Sequence, residues 1–257
     1  GRGIARLKEA GIATEVGLLE DEALAINEVF FKYIRTGLPF VALKTAMTLD
    51  GKIACASGDS KWISGEASRK YVHQLRNRYD AILTGIGTVL KDDPQLNTRL
   101  EEEDTRDPVR VIIDGNLDIP LKSNIVNSSR RQRTVVFCSH QADSGRQRIL
   151  EEQGLEVVRI GSEPGYLPLE GVLKELADRE LISVLVEAGG EINASLINGH
   201  LVDKIYWFIA PKIVGGKSAP SPVGGEGIPF MNGAINIKNL RVMNIEDDYL
   251  LVGYPST

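Results

Sequence analysis

The sequence predicts an α/β protein built on a mixed, mostly parallel sheet that helices cover on both faces. Short apolar runs, each about one strand long, recur along the middle of the chain, and helical patterns lie between the later ones. Strands that alternate with helices favour parallel pairing, because each crossover returns the chain to the edge where the previous strand began. The last third of the chain changes to strand-like segments joined by glycine-rich loops, which predicts antiparallel strands added at one edge of the sheet.

The composition is that of an ordinary globular protein and argues against several classes of function. The 257 residues carry a net charge of −5, and 42% of them are hydrophobic. This acidic balance argues against duplex nucleic acid as the partner, and no apolar run approaches the ~18 residues that a membrane span needs. Cys55 and Cys138 are far apart and the three histidines are scattered, so the sequence predicts no disulfide framework, no metal site and a reduced, cytoplasmic setting.

The segment up to Pro39 resembles the end of a preceding unit. Residues 4–11 are typical of a helix stopped by glycine, Thr14–Leu18 of a short strand and residues 21–35 of a second helix. Gly37 and Pro39 then interrupt the pattern, and a segment this short cannot bury a core of its own. We therefore expect residues 1–38 to be the closing part of another domain.

Residues 39–257 carry the alternating pattern and are expected to form the main domain. Pro39–Leu49 is strand-like and ends at Asp50-Gly51, a strong signal for a hairpin turn. Ser64-Gly65-Glu66 then opens a helix that reaches about Arg78. The other predicted elements are strands at 81–83, 109–113, 135–137, 156–158 and 184–186, helices at 146–153 and 169–179, and C-terminal strands at 204–211, 235–242 and 250–254.

Two glycine-bearing turns follow predicted strands, where the backbone can approach a phosphate. One is Gly85-Ile86-Gly87-Thr88 and the other is Glu187-Ala188-Gly189-Gly190-Glu191. Free N–H groups and the dipole at the start of a helix favour a negative charge. Leu90 stands where a dinucleotide fingerprint has its third glycine, so the first turn fits a phosphate site and a plain tight turn equally. Glu187 ends a buried strand, where it either contacts a ligand or caps the following helix.

A few charged and aromatic side chains occupy unusual positions. Lys44 lies inside an apolar strand and shares a face with small residues, which indicates either a ligand site or a solvated edge. Arg69, His73 and Arg76 follow helical spacing, so they form either a solvated face or, with an arginine from another element, a phosphate clamp. Trp62 lies in a polar loop and suits a ligand wall or a core anchor.

Longer stretches of the chain closely resemble the reductase half of the bifunctional riboflavin-biosynthesis deaminase/reductase. The resemblance covers about residues 39–255, and its stretches are LKTAMTLDGKIA at 43–54, SGDSKWIS at 57–64, TVLKDDPQLNTR at 88–99, LVEAGG at 185–190 and IAPK at 209–212. Residues 1–38 resemble the closing segment of the deaminase half. The zinc signature of that half is absent from this sequence, so we do not expect deaminase activity of this chain.

The resemblance implies a dihydrofolate-reductase-like fold, NADPH as the cofactor and a homodimer or higher homo-oligomer. The implied reaction reduces 5-amino-6-(5-phosphoribosylamino)uracil to its ribitylamino counterpart, with hydride delivered to C1′ of the opened ribosyl group. Lys44 and Glu187 take the catalytic positions by motif. The implied substrate contacts are Ser60, Arg76, Leu96, Asn97, Arg99 and Glu187, with the two arginines and Asn97 closest to the phosphate. The implied cofactor contacts are Ala46, Trp62, Thr88, Asp92, Gly115, Gly189, Gly190, Glu191, Ile192, Asn193, Ala194 and Ser195.

Two other interpretations fit the same residues. A related NADPH reductase of another pterin or pyrimidine would share the cofactor turns and differ in the arginine pair. A non-catalytic module would bind NADPH without turnover.

Overall fold

A single sheet organises the computed structural model, which describes residues 1–101, 104–161 and 167–256. Its nine strands are β1 (Phe40–Thr48), β2 (Ala81–Gly85), β3 (Val109–Ile113), β4 (Thr134–Cys138), β5 (Glu156–Arg159), β6 (Ser183–Val186), β7 (Lys204–Ala210), β8 (Ile237–Ile245) and β9 (Asp248–Pro255). Their order across the sheet is β5-β4-β3-β2-β6-β1-β7-β9-β8. The pairs from β5 to β7 are parallel, and β9 runs antiparallel to β7 and β8. The predicted mixed, mostly parallel sheet is confirmed.

Helices connect most of the strands. They are α1 (Arg2–Glu9), α2 (Glu20–Ile26), α3 (Glu28–Thr36), α4 (Glu66–Arg78), α5 (Ile86–Asp92), α6 (Asn124–Asn127), α7 (Ser144–Glu152), α8 (Leu169–Asp178) and α9 (Gly190–Asn198), with one 3₁₀ turn at Met231–Gly233. None of the helices in the described ranges has the length and apolarity that a membrane crossing needs.

Both faces of the sheet are covered, as predicted. On one face Val172 and Leu176 of α8 pack with Leu196 of α9 over buried strand residues such as Phe137. On the other face α5, α6 and α7 cover the β2–β4 side, while Val72 of α4 packs against the side that carries β1 and β7. The core alternates along β1 as a pleated strand requires, since neighbouring residues bury their side chains on opposite faces.

Three local predictions from the sequence are wrong. Thr14–Leu18 forms no strand, because it pairs with none of the nine strands of the sheet. Its apolar side chains are accordingly exposed, Val16 by 70% and Leu18 by 85%. The predicted helix at 21–35 is two helices that meet at Asn27, whose Nδ2 donates to the carbonyl of Ala23 at 2.9 Å and ends α2. The turn at Asp50 closes no hairpin, because the chain crosses over to α4 after it.

The prediction for β7 needs a further correction. The sequence grouped β7 with the antiparallel strands, but it pairs in parallel with β1 from Ala42–Lys204 to Thr48–Ala210. The reason is the crossover helix α9, which returns the chain to the edge where β6 began. The strands β2, β6 and β1 therefore lie side by side in the middle of the sheet. From these central strands the chain continues to one edge of the sheet through β3, β4 and β5 and to the other edge through β7, β9 and β8. Open α/β sheets bind ligands where the strand order reverses in this way.

Candidate functional site

A cleft of about 470 Å³ opens at the carboxyl ends of the central strands β1, β2 and β6. Strand β1 contributes Lys44 and Ala46, the turn into α5 contributes Gly87, and the turn into α9 contributes Gly189. The complete lining is Lys44, Thr45, Ala46, Ile53, Ala54, Ser60, Gly85, Gly87, Thr88, Lys91, Asp92, Glu187, Ala188, Gly189, Gly190, Glu191, Ile192 and Pro220. Both predicted glycine turns thus border one cleft, together with both predicted catalytic residues.

Glu187 forms the charged centre of this cleft. Its Oε1 accepts from Arg76 Nε at 2.7 Å, and its Oε2 accepts from Arg76 Nη2 at 3.0 Å and from Lys44 Nζ at 3.3 Å. Burial raises the pKa of Glu187, but the charges of Arg76 and Lys44 outweigh burial and lower this pKa to about 2. Glu187 is therefore a carboxylate at neutral pH. It does not cap α9, since no side chain accepts a hydrogen bond at that helix start.

The cluster of Glu187, Arg76 and Lys44 carries one negative and two positive charges. Arg76 binds the carboxylate through two nitrogens, which is the strong geometry for this pair. Lys44 reaches Glu187 through a single longer contact, and its side chain also lines the cleft. Lys44 is thus the member of the cluster that has a donor available for a ligand.

The two arginines of the predicted phosphate clamp differ in their ion pairing. Arg76 forms an ion pair with Glu187, and its Nη1 donates to the Asn97 carbonyl at 3.1 Å. Arg99 is exposed, and its Nη1 donates to two neutral oxygens, Asn97 Oδ1 at 2.8 Å and Gln95 Oε1 at 3.3 Å. No carboxylate in the described ranges forms an ion pair with Arg99, so its guanidinium can receive an anion.

His73 supports Arg99 rather than acting as an acid. Its Nδ1 accepts the backbone N–H of Arg99 at 3.2 Å. Burial and the charges of Arg76 and Arg99 lower the pKa of His73 to about 4, so the ring is neutral at neutral pH.

Leu96 does not offer its side chain to a substrate. It is 3% exposed and packs in the core with Ile82 and Val89. Leu96 was predicted as a substrate contact from its position in the motif, and a motif does not show which way a side chain points.

The predicted cofactor residues divide into two groups. Ala46, Thr88, Asp92 and the run from Gly189 to Ile192 line the cleft. Asn193 and Ala194 are buried instead, and Asn193 Nδ2 donates to the Pro222 carbonyl at 2.7 Å. These two side chains therefore face the protein interior, and a cofactor contact at these two positions stays a prediction.

Three further predicted cofactor residues lie outside the main cleft. Ser195 borders an adjoining cleft of about 390 Å³ that shares Glu191 and Ile192 with the main one. Trp62 is 63% exposed, and its ring stacks on the Arg69 guanidinium at 4.6 Å. It borders a smaller cleft of about 170 Å³, which meets the main cleft at Ala54 and Ser60. Gly115 lies in the turn after β3 and lines neither of the first two clefts.

The glycines of the main cleft fit the backbone of a dinucleotide. A Cβ added at Gly87 or Gly189 would meet no atom within 4 Å, so the chain is open there to an approaching group. Gly189 precedes the nine-residue helix α9, whose first N–H groups favour a pyrophosphate. The residues present thus fit a nicotinamide dinucleotide.

A wall loop, residues 219–225, borders the cleft at Pro220 and packs against the turn that contains Gly190. A Cβ at Gly190 would come within 2.8 Å of the Ser221 carbonyl oxygen, so glycine permits this close packing. Gly224 N donates to the Gly190 carbonyl at 3.0 Å, and Ile53 N donates to the Pro220 carbonyl at 3.0 Å. Pro220 and Lys91 line the cleft without having been predicted. Lys91 lies one turn after Thr88, so helical spacing could have found it, whereas Pro220 belongs to no motif.

Comparisons with known proteins show which family this chain resembles. A family model described as the RibD C-terminal domain matches residues 39–251. The riboflavin biosynthesis protein RibD of Actinobacillus pleuropneumoniae is 39% identical over 251 residues, which cover 98% of this chain and 66% of that protein. One crystal form of Acinetobacter baumannii RibD superposes with a TM-score of 0.84 and 32% identity over 100% of this chain and 69% of that one.

A Thermotoga maritima structure gives a similar result. It is described as a diaminohydroxyphosphoribosylaminopyrimidine deaminase/5-amino-6-(5-phosphoribosylamino)uracil reductase, with a TM-score of 0.79 and 32% identity over 100% of this chain and 68% of that one. The chain spans about two thirds of the length of these relatives. This chain belongs to the RibD C-terminal domain family.

Proposed function

We propose that this chain is an NADPH-dependent reductase that converts 5-amino-6-(5-phosphoribosylamino)uracil to 5-amino-6-(5-phosphoribitylamino)uracil in riboflavin biosynthesis. The observation that carries the proposal is the pair of Lys44 and Glu187, which line a cleft bordered by two glycine turns, with Arg76 bound to Glu187 behind them. Membership of the RibD C-terminal domain family and the reductase activity named for the Thermotoga maritima relative support it.

The cofactor occupies the cleft between the turns at Gly87 and Gly189 in this proposal. When bound, it supplies the hydride that reaches C1′ of the opened ribosyl group. The residues that would hold it are Ala46, Thr88, Asp92 and those from Gly189 to Ile192, all of which line the cleft.

Lys44 supplies the proton or hydrogen bond that the reduction needs. Addition of hydride to C1′ leaves negative charge on the adjacent heteroatom, which a proton must neutralise. Glu187 is held as a carboxylate, so it cannot be the donor. Lys44 is the cation of the cluster with a donor facing the cleft. Glu187 accepts three hydrogen bonds from Arg76 and Lys44, which leaves it about one further lone pair for a substrate hydroxyl.

Arg99 binds the phosphate of the substrate. It is a cation fixed by neutral side chains and a backbone bond to His73, with no carboxylate partner in the described ranges. Replacement by alanine should raise KM for the phosphorylated substrate by about 10- to 100-fold. Equal damage toward a dephosphorylated analogue would count against a phosphate contact.

The decisive experiment follows NADPH absorbance after the pyrimidine is generated in place, with NADH and dihydrofolate as controls. Oxidation only with NADPH and the pyrimidine supports the proposal. In Lys44→Ala, turnover should fall by about 100-fold or more while NADPH still binds. Near-normal turnover by folded Lys44→Ala would overturn the role of this lysine. NADPH binding without turnover in the unmodified chain would favour the binding-module interpretation.

The proposal extends to the organisation of the chain. Residues 1–38 would be the closing segment of a deaminase domain and residues 39–257 the reductase domain, in agreement with a family match that begins at residue 39. We further propose that the chain forms a homodimer or higher homo-oligomer in the cytoplasm. Light scattering of the purified chain tests the oligomeric state.

A further inference from the structure

The loop that carries Arg99, residues 95–99, is fastened at every position by a side chain from another element. Three successive carbonyls are bound from the protein interior. The Gln95 carbonyl accepts from Arg110 Nη1 at 3.3 Å. The Leu96 carbonyl accepts from Gln132 Nε2 at 3.0 Å. The Asn97 carbonyl accepts from Arg76 Nη1 at 3.1 Å, which ties the loop to the charged cluster.

The next two residues of the loop are fastened through their N–H groups. Thr98 N donates to Asp107 Oδ1 at 2.7 Å, and Arg99 N donates to His73 Nδ1 at 3.2 Å. The side chains of Gln95 and Asn97 in turn hold the Arg99 guanidinium. The position of this guanidinium thus depends on backbone groups that other elements fix.

Arg110 is a charged side chain in the core beneath this loop, at 0% exposure. Besides the Gln95 carbonyl, it donates to Thr134 Oγ1 at 2.9 Å, Ser128 Oγ at 2.7 Å and the Gln132 carbonyl at 3.0 Å. All of these acceptors are neutral, and no carboxylate in the described parts of the chain forms an ion pair with it. Burial lowers the pKa of Arg110 to about 10, so it remains a cation at neutral pH.

The charge of Asp107 offsets only part of the burial of Arg110, so a cation at this place in the core carries a cost in stability. Apolar side chains of similar volume commonly replace buried charges without loss of stability. The contacts of Arg110 therefore suggest a different purpose, and one of them fixes the Gln95 carbonyl. Gln132 acts with it, because its Nε2 also donates to the Pro108 carbonyl at 2.8 Å while its own carbonyl accepts from Arg110.

We propose that Arg110 and Gln132 are positioning residues that hold the 95–99 loop in the conformation in which Arg99 meets the substrate phosphate. This inference rests on the proposed function, since it takes Arg99 as the phosphate contact. Neither residue touches the cleft. Their effect passes through Gln95 and the backbone of Leu96 to the Arg99 guanidinium, so that the loop is ordered before the phosphate arrives.

The test uses Arg110→Met and Gln132→Met in the full chain, with ribose 5-phosphate as the probe. The matched control is Arg133→Met, since Arg133 is exposed and pairs with Glu156 at 2.6 Å away from the loop. We expect the Kd of ribose 5-phosphate to rise about tenfold in each core variant and to stay unchanged in the control. KM for the phosphorylated substrate should rise similarly, with kcat and NADPH affinity within about twofold. Arg110→Lys, which keeps the charge, should restore part of the affinity.

Two results would overturn the inference. One is unchanged affinity for ribose 5-phosphate in the folded variants, and the other is an equal loss of affinity for ribose, which lacks the phosphate. Where Arg110→Met fails to fold, Gln132→Met decides alone. Arg99→Ala distinguishes a failure of the loop-positioning role from a failure of the Arg99–phosphate contact. Weak binding of ribose 5-phosphate by Arg99→Ala together with normal binding by both core variants would overturn the inference and would not contradict the proposed function. Normal binding in Arg99→Ala sinks the phosphate contact itself.

Discussion

The protein holds two buried lysine–glutamate pairs on one face of two neighbouring strands. In the register of β1 and β7, Lys204 lies opposite Ala42, and Lys44 lies opposite Tyr206, two positions further along. Lys204 Nζ contacts Glu28 Oε1 at 2.7 Å, and Lys44 Nζ contacts Glu187 Oε2 at 3.3 Å. The four side chains have nearly equal exposures, between 11% and 15%.

Their surroundings differ in the balance of charge. Glu28 receives one cation and the hydroxyl of Tyr254 at 2.8 Å, and the Lys204 ammonium lies 5.0 Å from the centre of the Tyr254 ring. Glu187 receives two cations, so this cluster of three side chains carries one surplus positive charge. The Lys204 pair also borders a cleft, of about 800 Å³, but no glycine lines it. Burial of the pair and the size of the cleft therefore do not identify the site, whereas a carboxylate bound by two cations beside open glycine turns does.

The largest expected difference between the two pairs is in turnover. Glu187→Gln leaves Arg76 and Lys44 without their anion and should lower kcat/KM on the order of 10²- to 10³-fold. Glu28→Gln should keep turnover within about twofold, because Glu28 lies outside the main cleft. Initial rates of NADPH oxidation measure turnover in both variants. Equal losses of turnover would contradict the assignment of the active pair to Lys44 and Glu187.

The next largest difference is in stability, and it runs the other way. Lys204→Met leaves the Glu28 carboxylate buried without a cation and should lower the free energy of unfolding by about 3–5 kcal/mol. Lys44→Met leaves Glu187 bound by Arg76 and should cost less. Urea denaturation ranks the two variants. A greater loss in Lys44→Met would contradict the idea that Arg76 alone satisfies Glu187.

The free energy of unfolding should depend on pH through Glu187, the carboxylate that is bound by two cations. The pKa of Glu187 lies at about 2, below its ordinary value of 4.5, because Arg76 and Lys44 outweigh the effect of burial. The stabilisation is therefore complete above about pH 5 and is lost as the pH falls toward 2, at most about 3 kcal/mol. Denaturation curves between pH 6 and 3 should fall more steeply for the unmodified chain than for Glu187→Gln. Parallel curves would count against the lowered pKa.

The smallest expected effect comes from the hydroxyl that completes the Lys204 pair. Tyr254→Phe removes the bond to Glu28 and should cost about 1 kcal/mol of stability. Turnover should not change, because Tyr254 lies outside the main cleft. A loss of turnover in a stable variant would indicate that the two ends of β1 and β7 are coupled.

The sequence predicts the sheet better than its margins, for a physical reason. Apolar runs such as Val109–Ile113 and Thr134–Cys138 are buried on both faces, so only a central strand suits them. Thr14–Leu18 has similar residue types but no neighbour, and a strand without a partner leaves its backbone unpaired. Asn27 divides a continuous helical pattern through a local side-chain bond that periodicity does not register.

The site was predictable where a residue is unusual for its element. Lys44 in an apolar strand and Glu187 at the end of another stand out in the sequence, and the structure brings them together. The ion pair of Arg76 with Glu187 was not predictable, because a charged stripe on a helix is typical of a solvated face. The burial of the Leu96 and Asn193 side chains was not predictable either, since a motif fixes position in the chain but not the direction of a side chain.

The wall loop has a consequence for the order in which the protein is made. Lys44, Thr88 and Glu187 are all translated before the wall loop, whose Pro220 carbonyl binds Ile53 N and whose Gly224 binds Gly190. A growing chain that has reached α9 already contains every residue of the charged cluster and of both glycine turns, but it lacks the wall loop that binds Ile53 and Gly190. The cleft is completed only when the ribosome has released β7 and the loop behind it. Nascent chains halted before residue 219 should therefore retain the cofactor poorly, although most of its contacts have been synthesised.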